Sequence, residues 1–148
     1  MSHVKLINLT KHFDKVEVLK NINLDIKEGE IVSLLGPSGC GKSTTLKIIA
    51  GILELDDGDI LFDEKSVKNI PTGKRGVSIV FQEYLLFPHM NVFENIEFGL
   101  KMKKVSKKDR KEKVEELIDL VKLRGYEDKY PSELSGGQQQ RVAIARTL

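Results

Sequence analysis

The residues best suited to chemistry lie in one stretch, Gly36-Pro37-Ser38-Gly39-Cys40-Gly41-Lys42-Ser43-Thr44, which matches G-x-x-x-x-G-K-[ST] in full. Glycines allow positive φ and close approach of an anion, so successive backbone N–H groups can converge on phosphate oxygens. Lys42 supplies a flexible point charge for the β- and γ-phosphates of a nucleotide, and Ser43 offers a hydroxyl to Mg²⁺. A helix starting near Lys42 would aim its N-terminus at the same oxygens and add roughly half a positive charge. Cys40 reads as a small residue that fits the loop; the competing reading is a thiol whose pKa the helix terminus lowers. A second stretch, Leu134-Ser135-Gly136-Gly137-Gln138, repeats the logic, because the Ser135 hydroxyl and the Gly136 and Gly137 amides at a helix start can also bind phosphate.

Elements must hold these groups in place. Val4, Leu6 and Leu9 form a short apolar segment, and Ile22, Leu24 and Ile26 alternate with polar residues, the period of a half-buried strand. Ile31 to Leu35 is a nearly continuous apolar run, broken only by Ser33, leading into the glycine loop, which predicts a strand covered on both faces. A helix is expected beyond Thr44, with Leu46, Ile49, Ala50 and Leu53 on its apolar side. Asp56-Asp57-Gly58 turns the chain into a strand at Ile60-Leu61-Phe62, and Val77 to Phe81 predicts another strand. From about residue 91 the period becomes helical. Val92, Ile96 and Leu100 follow a candidate cap, Asn91, and Val114, Leu117, Ile118 and Val121 follow a second at Ser106, with Gly125 as the stop. A last helix opens after Gly137 and carries Val142, Ile144, Ala145 and Leu148. It meets no capping glycine, which predicts that the natural chain continues.

Composition narrows the class. A chain of 148 residues with 40% hydrophobic residues and net charge +2 suits one globular domain. One cysteine excludes a disulfide framework and a cysteine-built zinc site, and His3, His12 and His89 lack ligand spacing. No apolar stretch is long enough to span a bilayer. These features predict a soluble protein of a reducing compartment whose membrane contact is peripheral, with no reason to expect nucleic acid as a partner.

With the LSGGQ pentapeptide following a phosphate loop, the chain resembles the nucleotide-binding subunit of ATP-binding-cassette (ABC) transporters over its whole length. The resemblance implies an α/β fold: a P-loop NTPase core with an antiparallel β portion and a helical subdomain, incomplete at the C-terminus. Its parts would be residues 1–83 (ATP-binding core), 84–133 (helical subdomain) and 134–148 (signature motif and start of the following helix). It further implies that Gln82 touches Mg²⁺ and the attacking water, and that Phe13 stacks on adenine. Gly36, Pro37, Ser38, Gly39, Cys40, Gly41, Lys42, Ser43 and Thr44 would hold ATP within one subunit. Ser135, Gly136, Gly137 and Gln138 would meet the ATP of the opposite subunit in a head-to-tail dimer. Lys42 and Gln82 would take part in catalysis, with Ser43 and Gln82 on Mg²⁺.

The stretch Pro71 to Lys101 looks most like importers of the maltose, polyamine, ferric-iron and sulfate type. In those, the face carrying Gln82, Tyr84 and Phe87-Pro88-His89 docks transmembrane permease subunits. An extracytoplasmic solute-binding protein acts at one remove, and the subunit lies at the cytoplasmic face of the cell membrane. The family's apolar strand ending in Asp-Glu, and its later histidine, are not recognisable here. The resemblance therefore implies no turnover by this chain alone and an open edge beside the Ile31–Leu35 strand. Two other readings are a soluble ABC ATPase acting on DNA or ribosomes, and a non-catalytic nucleotide-binding fragment. The short interval between Gln82 and Leu134 leaves no room for the long coiled-coil insert of the DNA-repair type. Eight basic residues between Lys101 and Lys113 read as a solvated helix face, with anionic lipid headgroups as the functional alternative.

Overall fold

Alternation around Leu6 and Leu24 produces strands, and they run longer than the pattern alone indicates. The structure, a computed structural model, describes residues 2–148. Strands β1 (Val4–Phe13), β2 (Val16–Ile26), β3 (Asp57–Phe62) and β4 (Lys65–Ser66) form one antiparallel sheet in the order β2-β1-β3-β4. Leu6 faces Leu24 on one side and Ile60 on the other. The register shifts between Leu6 and Leu9. There Asn8 and Asn21 take positive φ, and the Asn23 side chain bridges the Asn8 side chain and the Asn21 carbonyl. Helix α1 (Lys42–Ile49) lays Ile48 on this sheet, in a core with Leu6, Leu9, Leu19, Leu55, Ile60, Phe62 and Val67.

These elements belong to the first of two compact units, which ends at Ser78; the second is Ile79–Leu148. The second unit is helical: α2 (Val92–Met102), α3 (Lys107–Leu120) and α4 (Gly136–Ala145). Their apolar stripes meet in a core of Val92, Ile96, Val114, Leu117, Ile118, Leu123, Leu134, Val142 and Ala145. The expected caps are in place. Asn91 Oδ1 accepts the Glu94 N–H at 2.8 Å while Glu94 Oε2 accepts the Asn91 N–H at 3.0 Å, and Ser106 Oγ accepts the Asp109 N–H at 3.3 Å. The basic run from Lys101 is exposed at all but Arg110, which pairs with Glu97 at 2.8 Å.

Four expectations fail in whole or in part. Ile31–Leu35 and Val77–Phe81 are not strands, and Ile31 and Leu35 are 96% and 92% exposed. A continuous apolar run is stable as a strand only between hydrogen-bonded neighbours, and among the described residues no strand pairs with either run. The strand foreseen ahead of the glycine loop is therefore absent, although the helix after it is present. Third, the apolar side of α1 is met in part: Ala50 is buried and Ile49 and Leu53 pack on the core, but Leu46 is exposed, Thr45 and Ile48 take the buried positions, and Leu53 lies beyond the helix end. Helix α3 also ends before Gly125, with Lys122 taking the left-handed position.

Candidate functional site

The glycine loop meets α1 at Gly41, the N-cap, with φ 93° and ψ −1°. A Cβ there would lie 2.5 Å from Leu19 Cδ2 and 3.1 Å from the Val18 carbonyl oxygen, so glycine is required by both conformation and space. The same contact seats the loop on β2. Thr45 is buried and fixes the first turn, its N–H and Oγ1 both donating to the Gly41 carbonyl at 2.8 and 3.0 Å. The helix start has no side-chain cap and no acidic residue in its first turn. Its leading N–H groups and partial positive charge are thus not taken up by a side-chain cap or by an acidic residue of the first turn. Lys42 Nζ lies across the loop, donating to the Gly36 and Pro37 carbonyls at 2.7 Å each, 3.3 Å from Cys40 Sγ. Both of these carbonyl partners are neutral. This donor set fits a polyphosphate. No group of three or more His, Cys, Asp or Glu able to hold a metal exists among the described residues. A Mg²⁺ ion would therefore depend on phosphate oxygens together with the exposed Ser43 hydroxyl.

The far end of α1 is held as firmly. Arg75 donates to the Ile48 and Ile49 carbonyls at 2.8 and 3.1 Å, and to those of Ile70 and Lys68 at 2.7 and 3.1 Å. Burial lowers its pKa from the ordinary arginine value. Gly51, at φ 75°, admits the guanidinium, since a Cβ there would sit 2.5 Å from Arg75 Nε. Phe13 ends β1, half exposed, with Lys11 Nζ 5.6 Å from its ring centroid. Phe13 and residues 36–44 both belong to the first unit.

In the second unit Ser135 is the N-cap of α4. Its Oγ accepts the Gln138 N–H at 3.3 Å, and Gln138 Oε1 accepts the Ser135 N–H at 2.8 Å. The reciprocal box occupies the Gln138 side chain, a structural duty that the motif reading did not include. Gly136 and Gly137 are exposed with open space where a Cβ would point. Gln139 Nε2 ties the approach by donating to the Pro131 and Leu134 carbonyls at 2.9 and 3.2 Å. The result is a second glycine-led helix N-terminus open to an anion.

Gln82 is exposed in a turn, ahead of Tyr84 and Leu85 at φ 55° and 45°. Two residues invisible to motif reading hold the segment from Tyr84 to Asn91. Asn95 is fully buried; its Oδ1 accepts the Phe87 N–H at 2.9 Å, and its Nδ2 donates to the Phe87, Met90 and Asn91 carbonyls at 3.2, 2.9 and 3.0 Å. Arg146 donates to the Leu85 and Tyr84 carbonyls. Asn95 lies on the α2 stripe beside Val92 and Ile96, and a polar residue on a buried face was the one available signal. No described helix is long and apolar enough to cross a membrane.

Comparison with known proteins gives the family of the chain. The ABC transporter family matches residues 19–148. The chain is 54% identical over 145 residues to the spermidine/putrescine import ATP-binding protein PotA of Thermotoga maritima, covering 98% of this chain and 39% of that protein. The PotA of Clostridioides difficile is equally similar at 54%, with 42% of its length covered. The chain thus spans about two fifths of these relatives' length. Among solved structures, the dimeric post-hydrolysis state of the ATP-binding cassette MJ0796 bound to ADP and Pi superposes with a TM-score of 0.85 at 39% identity, over 98% of this chain and 68% of that one. A second dimeric structure of MJ0796, a bacterial ABC transporter cassette, gives 0.87 at 38% identity over the same shares. The match spans most of the chain, and the chain belongs to the ABC transporter family.

Proposed function

We propose that this chain is the nucleotide-binding portion of an ABC importer's ATP-binding subunit, which hydrolyses ATP to drive solute uptake. The observation that carries the proposal is the pair of helix N-termini, one uncapped behind Lys42 and one led by Gly136 and Gly137, in a single chain. One such terminus binds a phosphate. Two of them, in units that each fold around their own core, suit a molecule that holds one nucleotide and reads a second.

The amides of Gly39 to Thr44 and Lys42 Nζ hold the β- and γ-phosphates, Ser43 Oγ faces Mg²⁺, and Phe13 stacks on the base. Gln82 orients water and the metal from its exposed turn. Ser135 and the Gly136 and Gly137 amides contact the γ-phosphate held by a second subunit in a head-to-tail dimer, with Gln138 buttressing Ser135. Mg²⁺ supplies charge neutralisation at the phosphates. The protein's part is mostly positioning and electrostatic stabilisation, as in other phosphoryl transfers. Transmembrane permease subunits dock on the face of Tyr84 and Phe87-Pro88-His89 and place the subunit at the cytoplasmic membrane surface, with a solute-binding protein acting indirectly. The relatives' names point to spermidine and putrescine as the cargo, which the permease and binding protein select.

Calorimetric titration of the full-length protein with MgATP tests the core claim. Lys42→Ala should abolish measurable binding, and unchanged affinity would remove the phosphate-site assignment. Uptake of labelled spermidine by vesicles holding the whole assembly, with and without ATP, tests the cargo.

A further inference from the structure

The loop after Gln82 carries two successive bulky residues in the left-handed region, Tyr84 and Leu85. Side chains of this kind rarely adopt that conformation, and it persists only where the surroundings impose it. Local bonding is thin: the Tyr84 N–H reaches the Phe81 carbonyl at 3.0 Å, and the Leu85 N–H folds back to Glu83 at 2.6 Å. The imposing group comes from the other end of the unit. Arg146, the C-cap of α4, donates through Nη1 to the Leu85 carbonyl at 2.9 Å and through Nη2 to the Tyr84 carbonyl at 3.3 Å. Its guanidinium also lies over the Phe87 ring, 5.2 Å from the centroid. Only a planar fork can serve two adjacent carbonyls and an aromatic face at once. Phe87 is gripped from its other side by Asn95 and by the Phe98 ring, at a centroid separation of 4.6 Å.

We infer that Arg146 is a positioning residue that rivets the Tyr84–Phe87 loop to the C-terminal end of α4, so that the helix and the loop move as one part. This rests on the proposed function, in which the N-terminus of α4 meets a nucleotide phosphate and the loop meets a membrane subunit. Helix α4 is about 15 Å long at 1.5 Å per residue. A phosphate drawn to Ser135 and Gly137 pulls on one end of a rigid rod, and Arg146 is the handle on the other. Without it, Asn95 and Phe98 still hold Phe87, but nothing imposes the conformation of Tyr84 and Leu85. The loop would then relax independently of α4.

Hydrogen exchange with mass spectrometry on the full-length protein tests this, with and without a slowly hydrolysed MgATP analogue. In the natural protein the analogue should slow exchange across residues 136–142 and across 84–90 together. Arg146→Met keeps the length and apolar stem. It should retain the first protection and lose the second, with exchange at 84–90 about tenfold faster, the scale of losing hydrogen bonds from a charged donor. Arg146→Lys, with the charge but no fork, should recover only part of the difference and serves if the methionine variant does not fold. Equal protection of 84–90 in variant and natural protein would overturn the inference, as would faster exchange spread through α2 and α3. Should the analogue fail to protect 136–142 in the natural protein, the assignment of α4 to phosphate falls instead. The nucleotide-free comparison then decides alone: faster exchange confined to 84–90 in the variant sustains the rivet, and identical rates end it.

Discussion

Arg75→Ala should destabilise the first unit by about 3 kcal/mol, through the helix that carries the phosphate loop. Arg75 serves four carbonyls from three stretches of chain: Ile48 and Ile49 at the end of α1, then Lys68, then Ile70. The first two lie at the helix end, where they carry the negative end of the helix dipole, and the Ile48 carbonyl also accepts the Gly51 N–H at 3.0 Å. A cation at a partly buried helix C-terminus contributes up to about 2 kcal/mol. Each hydrogen bond from a charged donor adds roughly 1.5–3 kcal/mol when its acceptor cannot find water. Arg75 is partly exposed, so water replaces some of the lost donors and the sum falls well short of four full bonds. Arg75→Lys keeps the charge but cannot bridge four carbonyls, and should recover about half. Gly51→Ala should imitate the loss from the other side, because its Cβ would strike the guanidinium. Urea unfolding followed by circular dichroism reads the difference as a shift in midpoint at constant slope. A loss below about 0.5 kcal/mol for Arg75→Ala would refute the clamp, and full recovery by lysine would show that charge alone matters.

Asn95→Ala should cost about 3 kcal/mol, from an unsatisfied Phe87 N–H at a fully buried site plus the lost volume. Asn95→Asp should be no better in urea unfolding, since it keeps the acceptor but aims a carboxylate at three carbonyls. Stability should also fall in acid. Asp56 is held below its ordinary 3.8 by hydrogen bonds from the Lys11 ammonium and the His12 N–H, and Asp119 by the Arg124 guanidinium. Groups with lowered native pKa contribute stability that is complete above the ordinary value and is lost as pH falls through the native one. Unfolding midpoints should therefore hold steady down to the region of 3.8 and drop beneath it, and Asp56→Asn should flatten that drop.

What the sequence disclosed divides by range. The two glycine-led motifs and the side-chain caps at Asn91 and Ser106 were legible because each involves residues close along the chain, whereas Ser135 was read as a phosphate contact and not as the cap it is. Strand β2 was legible too, since alternation marks a sheet face whatever its neighbours, whereas the two-residue edge strand β4 was not foreseen. Ile31–Leu35 and Val77–Phe81 were misread for the converse reason. An apolar run records a preference for burial, whereas a strand also needs partners along both edges, and those partners are not written in the run. Arg75 and Arg146 were invisible because their hydrogen bonds go to main-chain carbonyls, which leaves no complementary residue type to find.

That division follows the chemistry. Binding a phosphate needs only consecutive amides at a helix start, so evolution can store it in nine adjacent residues. Passing the consequence onward needs a side chain that reaches a distant backbone, and arginine does so with a rigid fork that accepts any sequence beneath it. Arg75 grips the end of the helix behind one phosphate loop, and Arg146 extends from the end of the helix behind the other. Both act at the carbonyl end of a helix, opposite the glycine-led start proposed to meet an anion. A helix that binds an anion at its start is more useful as a lever when its far end is fastened, and these two fastenings are where loss of coupling without loss of binding should be sought.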